Sequence, residues 1–299
     1  MWQSARILPH SMSRRAAARA SSPCAARAKE CGESPELRSE NPDMETMKKN
    51  VRYGMVIDLD RCTGCGACMV ACAVENNIPP AHQGATERTG TTWIRVYKAD
   101  NRKAFPEQRA VFVPILCQHC DHHTPCVSVC PQKAVEYDRA TGIVGQIPVR
   151  CLGCRYCMTA CPYHARYFNW WDPVWPEGME KTLNPDVSTR MRGVVEKCNF
   201  CHSRLQQAKA RAAVEGRSEL RAGEYMPACA EACPAGAIVF GELSDENSDV
   251  HQAASGGDAF RLLEHLGTEP KVYYRSRQPW VRTIADSRIS SPAKEEAHG

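Results

Sequence analysis

Several short stretches of the chain alternate between hydrophobic and polar residues, with the two-residue period of a half-buried β-strand. The first runs from Tyr53 to Asp60, and later ones run from Thr91 to Tyr97 and from Ala237 to Gly241. A hairpin is predicted from Ala134 to Val144, with its turn at Arg139–Gly142.

Helical periodicity predicts three further elements. One runs from Ala67 to about Asn76, and a longer one, which carries several Arg and Lys residues, runs from Ser203 to about Glu219. A short amphipathic helix around Ala259–Leu266 is the only clear element predicted within the polar residues 244–299. Together these segments predict an α+β fold, in which short antiparallel hairpins and short helices are joined by loop-rich connections.

The composition has one unusual feature, which is 18 cysteines in 299 residues. Disulfide-rich secreted proteins are usually shorter, and here 16 cysteines fall into four groups whose C-x2-C pairs favour metal binding. The net charge of +4 is too small to indicate a nucleic-acid partner. No apolar run approaches the roughly 20 residues of a membrane span, so we expect any membrane contact to pass through a partner subunit.

The third group of cysteines has the spacing C-x2-C-x2-C-x3-C-P, by which bacterial-type ferredoxins hold iron–sulfur clusters. In that arrangement three thiolates bind one cluster and the fourth binds a second, so the motif requires a partner motif. The other three groups supply such partners. The four motifs are Cys62, Cys65, Cys68 and Cys72; Cys117, Cys120, Cys126 and Cys130; Cys151, Cys154, Cys157 and Cys161; and Cys198, Cys201, Cys229 and Cys233.

The surroundings of these cysteines favour clusters over zinc. Gly64 and Gly66 let the backbone of the first motif wrap closely and aim N–H groups at sulfur. Thiolates also suit zinc, but zinc would need isolated four-cysteine units and not four C-x3-C steps. In three motifs a proline follows the fourth cysteine, where it is predicted to begin a helix. These prolines are Pro131, Pro162 and Pro234.

A strand, a cysteine loop and a short helix thus recur four times, which makes two ferredoxin-like modules. The pattern resembles the four-cluster iron–sulfur subunit of the complex iron–sulfur molybdoenzyme family over about residues 53–243. A closer similarity, to the iron–sulfur subunits of menaquinone reductase (Qrc) and alternative complex III, lies outside the cysteines. The segments that carry it are Tyr167–Pro176, Leu183–Ser188, Arg192–Cys198, Pro227–Pro234 and Leu262–Tyr274.

The resemblance implies that the motifs pair in a nested order. The second and third motifs would form a module over residues 105–170, and the first and fourth would form a module from residues 51–104 and 190–243. Residues 171–189 would be a connection and residues 244–299 a C-terminal extension. The expected ligand sets are Cys62, Cys65, Cys68 and Cys233; Cys72, Cys198, Cys201 and Cys229; Cys117, Cys120, Cys126 and Cys161; and Cys130, Cys151, Cys154 and Cys157.

The resemblance also implies an electron-transfer subunit that has no substrate-catalytic site of its own. Four clusters are expected, mostly or all [4Fe–4S]; the relatives are expected to carry one [3Fe–4S] cluster, although all 16 ligand positions here are cysteine. The expected partners are a membrane-integral quinone-binding subunit and a molybdopterin-family-like large subunit or multihaem cytochrome c, at the periplasmic face. The alternatives are the beta subunit of a polysulfide or tetrathionate reductase, and a soluble polyferredoxin.

The sequence leaves open the roles of three kinds of residue near the motifs. Histidines are expected near the clusters or at the surface and not as ligands, because the cysteine sets are complete. Cations either stabilise a reduced cluster or are solvated, and tryptophans either contact a partner or quinone or pack in the core. These residues are His119, His122, His123 and His202; Arg150, Arg155 and Lys197; and Trp170, Trp171 and Trp175.

Residues 1–50 show no hydrophobic periodicity and begin with a stretch rich in Ala, Arg and Ser. They are predicted to be a disordered tail, or to result from a start codon assigned too early. Ser13-Arg14-Arg15 hints at an export signal, but no apolar segment follows it. Cys24 and Cys31 are expected to be free thiols. The candidate starts are Met44, Met47 and Met55.

Overall fold

A computed structural model of the chain describes residues 51–86 and 88–286. The predictions for the N-terminal tail, including those for Cys24 and Cys31, lie outside the described residues. The β-strands are β1 Tyr53–Asp58, β2 Ile94–Asp100, β3 Ala110–Leu116, β4 Val135–Tyr137, β5 Val144–Gln146, β6 Tyr167–Phe168, β7 Val195–Glu196, β8 Ile238–Glu242, β9 Ala259–Phe260 and β10 Val272–Arg275. The α-helices are α1 Ala67–Glu75, α2 Pro125–Ser128, α3 Tyr156–Ala160, α4 His202–Val214, α5 Ala228–Glu231, α6 Asp249–Ala254 and α7 Pro279–Asp286.

The largest sheet has four strands in the order β8–β1–β10–β9. Strand β1 pairs antiparallel with β8 and parallel with β10, so that Met55 lies opposite Phe240 on one side and Val272 on the other. The four central residues of β1 are buried. A strand covered on both faces requires a nearly continuous apolar run, and the sequence from Met55 to Ile57 supplies it.

Aromatic side chains join this sheet to the cysteine loops. Phe240 of β8 stacks on Tyr53 of β1, with ring centroids 5.7 Å apart, and meets Phe200 of the fourth motif edge-on at 5.2 Å. Phe200 in turn stacks on His119 of the second motif at 3.7 Å. One hydrophobic cluster therefore extends from the sheet to these loops, and a second, smaller one surrounds Cys157 of the third motif.

The remaining strands form three antiparallel ribbons, β2–β3, β4–β5 and β6–β7. Helix α1 of the first motif packs against α5 of the fourth, and α2 of the second motif packs against α3 of the third. These two helix contacts bring the motifs together in pairs.

The hairpin predicted at 134–144 is confirmed as β4–β5, and the helix predicted from Ser203 ends at Val214 and not near Glu219. Gly216 adopts a left-handed conformation just beyond that end, with φ of 73°, and such a residue stops a helix.

The helix predicted around Ala259–Leu266 is wrong. The first two residues form β9, which pairs with β10, and only Glu264–Leu266 make a single 3-10 turn. Leu263 and Gly267, on either side of this turn, have left-handed backbones that an α-helix cannot contain. Residues beyond 244 also supply α6, β10 and α7, so the predicted helix is not the clear element of this region.

The helices predicted to begin at the prolines are also wrong. In three motifs a short helix carries the third cysteine and ends before the fourth, at Ser128 in α2, Ala160 in α3 and Glu231 in α5. The proline that follows the fourth cysteine therefore stands beyond the end of a helix. Proline is common there because it cannot continue the helical hydrogen bonds.

Among the residues that the model describes, none of the helices combines the length and the apolar composition needed to cross a membrane.

The close packing around Gly54 of β1 allows the sheet to be tested by mutation. A Cβ added at Gly54 would lie 2.7 Å from the carbonyl oxygen of Lys271 and 2.1 Å from Cδ1 of Leu243. We expect Gly54→Ala to destabilise the protein by about 1–3 kcal/mol through overpacking, seen as a lower midpoint of thermal unfolding. Gly257→Ala is the control, because its Cβ would meet nothing within 4 Å. Equal midpoints for the two variants would contradict this packing.

Candidate metal centres

The four cysteine loops share one backbone feature. The residue two positions after the first cysteine has a left-handed backbone in every motif, with φ between 45° and 71°. Two motifs have glycine there, which adopts this conformation without a steric penalty, but the other two do not. The four residues are Gly64, His119, Gly153 and Phe200.

Left-handed backbone at a non-glycine residue costs about 1–3 kcal/mol, so His119 and Phe200 need compensation. Their rings supply it by stacking on each other in the core. His119 is fully buried, and its Nδ1 accepts a hydrogen bond of 3.1 Å from the N–H of Val144. Burial and the nearby cations Lys197 and Lys271 lower the pKa of His119 well below its usual value, which keeps the ring neutral.

The loops direct backbone N–H groups at sulfur. Phe200 donates to Cys198 Sγ at 3.4 Å, and Gly153 donates to Cys151 Sγ at the same distance. Fourth cysteines receive equivalent bonds, such as the 3.2 Å bond from the N–H of Ala134 to Cys130 Sγ. A thiolate accepts these bonds more strongly than a thiol does, so each loop is built for the deprotonated, metal-binding form.

The first group combines three cysteines of the first motif with the last cysteine of the fourth. Burial and the thiols of Cys62, Cys233 and Cys65 raise the pKa of Cys68 to about 11. Cys65 lies at the surface, where the N–H of Ala67 lowers the pKa of its thiol.

The second group is the most buried. Burial and the thiols of Cys198, Cys229 and Cys201 raise the pKa of Cys72 well above its usual value. Asn76 reports their proximity directly, because its Nδ2 lies 3.7 Å from both Cys72 Sγ and Cys201 Sγ. Sequence reasoning missed Asn76, although its place one helical turn after Cys72 was a signal that could have found it.

The third group lies in the second motif and includes the last cysteine of the third. Burial and the thiol of Cys117, with smaller effects of Cys126 and Cys161, raise the pKa of Cys120 to about 12, against an opposing hydrogen bond from Thr268. Five residues separate Cys120 from Cys126, against two in the simplest ferredoxin spacing, and Cys126 still lies near Cys120 despite this wide gap.

The fourth group, like the first, has one cysteine exposed at the surface. Burial raises the pKa of Cys157, Arg166 opposes this change, and the thiols of Cys151 and Cys130 add to it. Cys154 is exposed and lines one cavity with these three cysteines.

Thiols of neighbouring groups also act on one another, which sets the groups in a row. Cys68 of the first group affects Cys72 of the second, and Cys117 of the third affects Cys198 of the second. Cys157 of the fourth affects Cys126 of the third. The exposed thiols of Cys65 and Cys154 therefore belong to the two ends of the row.

Within the described residues, no three His, Cys, Asp or Glu side chains converge closely enough to hold a single metal ion. The four ligands of an iron–sulfur cluster bind separate irons, so they do not need to converge on one point. The all-thiolate donor sets, the N–H bonds to sulfur and the orphaned guanidinium atoms Nε and Nη1 of Arg166 fit such a cluster.

The cations named from the sequence differ in position. Arg150 is exposed, and Arg155 lies over the rings of Phe168 and Trp170 at 5.3 and 5.0 Å. Lys197 is buried, with 1% of its surface exposed, and counteracts the raised pKa of Cys198. Sequence reasoning missed the buried Arg166, which lies in a segment that carries no cysteine.

The other candidates lie mostly at the surface or in packing contacts. His122, His123 and His202 are exposed. Trp171 stacks on His82 at 4.7 Å, and Trp170 meets Phe168 edge-on at the same distance. Trp175 is half-buried.

Two family models match the chain. A 4Fe-4S binding domain matches residues 53–74, and a 4Fe-4S dicluster domain matches residues 108–176. These matches define a ferredoxin-type iron–sulfur protein, in agreement with the α+β fold of small helices and strands.

Curated relatives specify the class further. The chain is 56% identical to the menaquinone reductase iron-sulfur cluster-binding subunit of Nitratidesulfovibrio vulgaris, over 80% of this chain and 94% of that protein. It is 39% identical to the Hdr-like menaquinol oxidoreductase iron-sulfur subunit 1 of Archaeoglobus fulgidus, over 77% and 85%. It is 34% identical to the arsenate respiratory reductase iron-sulfur subunit ArrB of Shewanella sp., over 75% and 96%.

The chain belongs to the family of iron–sulfur cluster-binding subunits of menaquinone reductase and related oxidoreductases. Its role is electron transfer within such a complex, as the resemblance of the sequence implied.

The close contact of the third motif with Gly193, just before β7, gives a test. A Cβ at Gly153 would lie 2.2 Å from the carbonyl oxygen of Gly193. We expect Gly153→Ala to lose the iron of one cluster, measured as iron per chain and as a missing electron paramagnetic resonance signal.

The control is Gly178→Ala, between the third and fourth motifs, which also has a left-handed backbone but meets nothing within 4 Å. It should keep its iron and lose only the roughly 1–2 kcal/mol of a left-handed alanine. The same iron content in both variants would show that close packing of Gly153 does not matter.

Proposed function

We propose that the chain holds four iron–sulfur clusters in two nested ferredoxin-like modules. The support is the proximity of thiols from different motifs, above all the amide of Asn76 against both Cys72 and Cys201. The sets are Cys62, Cys65, Cys68 and Cys233; Cys72, Cys198, Cys201 and Cys229; Cys117, Cys120, Cys126 and Cys161; and Cys130, Cys151, Cys154 and Cys157. When bound, such clusters supply one-electron carriers.

The modules are residues 51–104 with 190–243, and residues 105–170, joined by the connection 171–189. The packing of α1 on α5 and of α2 on α3 supports this division. In each of the ribbons β2–β3 and β6–β7, one strand comes from each module. Backbone hydrogen bonds therefore join the two modules. The extension 244–299 adds β10 beside β1.

One observation carries the proposed function. In the row of thiol groups, the middle groups are buried and each end group has an exposed thiol. Cys65 and Cys154 reach the surface in the first and fourth groups, whereas the second group is buried. A row of this kind suits electron transfer between two partners, because each end is open to one of them and the centre is shielded from water.

The partners we propose are a membrane-integral quinone-binding subunit at one end and a molybdopterin-family-like large subunit or multihaem cytochrome c at the other. The complex would face the periplasm and reduce menaquinone. The 56% identity to a menaquinone reductase subunit, against 34% to the arsenate respiratory reductase iron-sulfur subunit, supports this assignment over the alternative of a polysulfide or tetrathionate reductase beta subunit.

The complex can be tested by tagging the chain and purifying it from solubilised membranes. We expect a membrane-integral subunit to copurify, iron equal to four clusters, and a menaquinone analogue to perturb the resonance signal of one cluster. Oxidised samples will show whether one cluster has three irons. Protease accessibility in spheroplasts should place the chain at the periplasmic face.

A tagged chain that carries its full iron alone in the soluble fraction would contradict the membrane complex and identify a free ferredoxin. Molybdenum in amounts equal to the chain, without an effect of quinone analogues, would identify a molybdoenzyme beta subunit.

The nested sets can be tested inside one helix. Cys68 and Cys72 both lie in α1, yet they belong to different proposed clusters. We expect Cys72→Ala and Cys201→Ala to remove the same resonance signal, and Cys68→Ala and Cys233→Ala to remove another. If Cys68→Ala and Cys72→Ala abolish one common signal and leave the rest, the motifs bind their clusters singly and the nested order is wrong.

A further inference from the structure

Two of the buried charged side chains in the described part of the chain lack a carboxylate partner. The buried charged residues are Arg166, Arg190, Glu196, Lys197 and Lys271. Arg190 pairs with Glu196 at 3.2 Å, and Lys271 pairs with Asp121 at 2.8 Å. A buried charge without a partner costs several kcal/mol, so Arg166 and Lys197 need another source of compensation.

Backbone carbonyl oxygens compensate the buried charge of Lys197. Its Nζ donates to the carbonyl of Val144 and, at 2.7 Å, to the carbonyl of Cys198. Arg166 is different, because only its Nη2 has an oxygen acceptor, the amide Oε1 of Gln146. Its Nε and Nη1 are buried and have no hydrogen-bond partner. Part of the guanidinium therefore has no polar partner within the described chain.

The guanidinium lies beside thiols of two groups. Gln146, its hydrogen-bond partner, lines one cavity with Cys157 and the other cysteines of the fourth group. Cys126 of the third group packs in the same hydrophobic cluster as Cys157, and Arg166 lies close enough to Cys126 and Cys117 to interact with their charge. Arg166 thus stands at the junction of the third and fourth groups.

We propose that Arg166 is shared by the third and fourth cluster sites and raises the reduction potential of the clusters bound there. This inference rests on the proposed function. A four-iron cluster with four thiolates is anionic and gains a further negative charge on reduction, so a buried cation favours the reduced state. No carboxylate among the described residues offsets the charge, and little water screens it at 4% exposure.

The charge of Arg166 also distinguishes the third and fourth groups of thiols from the first. Gln146, the partner of Arg166, lines a cavity with the cysteines of the fourth group and with none of the first. Cys126 of the third group is affected by both Arg166 and Lys197. Arg166 would therefore favour an electron on the third and fourth sites over the first.

The test is a redox titration, followed by electron paramagnetic resonance, of the whole complex carrying Arg166→Gln. We expect at least a tenfold change in the reduction equilibrium of one or two clusters, a fall of about 59 mV for one electron. The signals assigned to the first group should keep their potentials. Arg166→Lys should restore most of the potential, because it keeps the charge.

A second variant keeps the arginine in place. Gln146→Glu is nearly isosteric and sets a carboxylate against the guanidinium, so it should lower the potential of the same clusters without removing a side chain. It decides the question if Arg166→Gln fails to retain iron. The control is Arg150→Gln, next to Cys151 but exposed, where water and salt screen the charge.

Unchanged potentials in Gln146→Glu and in iron-replete Arg166→Gln, relative to Arg150→Gln, would overturn the inference and leave the proposed function standing. Fewer than four clusters in the unmodified complex would instead contradict the proposed function. A fall confined to clusters that lose their signal in Cys68→Ala would also overturn the inference, because those belong to the first group.

Discussion

Bringing four thiolates together at a buried point is the constraint on which the rest of this structure depends. Like charges repel, and burial disfavours each of them, as the raised pKa values of Cys72 and Cys229 show. The fold answers with N–H groups aimed at sulfur, with the amide of Asn76 and with the buried cations Arg166 and Lys197. These residues would share the compensation with the iron of a bound cluster.

The same constraint fixes the backbone of the loops. Each loop turns two residues after its first cysteine, and this turn needs a left-handed residue. In the first and third motifs this left-handed residue is glycine. In the second and fourth motifs His119 and Phe200 serve, and their stacked rings tie the loop of one pair of motifs to the loop of the other. The two residues that carry this backbone strain therefore also form a contact between the second and fourth motifs.

The C-terminal segment has a larger structural role than its polar composition indicates. Strand β10 lies parallel to β1, and Tyr274 donates from its hydroxyl to the carbonyl of Pro114 at 2.9 Å. Lys271 forms an ion pair with Asp121 in the wide gap of the second motif, and the hydroxyl of Thr268 shares a 2.6 Å hydrogen bond with that of Tyr163, two residues after Cys161. Residues distant in sequence thus hold the third cysteine group in place.

The sequence by itself determined the chemistry, because ligand spacing is a local property. The four motifs, the hairpin β4–β5 and the helix α1 could be read directly, and the family followed from segments between the cysteines. The helix predicted at Ala259–Leu266 failed because pairing of β9 with β10, a long-range contact, overrode a local pattern. Only the tertiary structure decided which thiols meet and where Arg166 stands, since burial and unpaired charge depend on residues that the chain brings together from far apart.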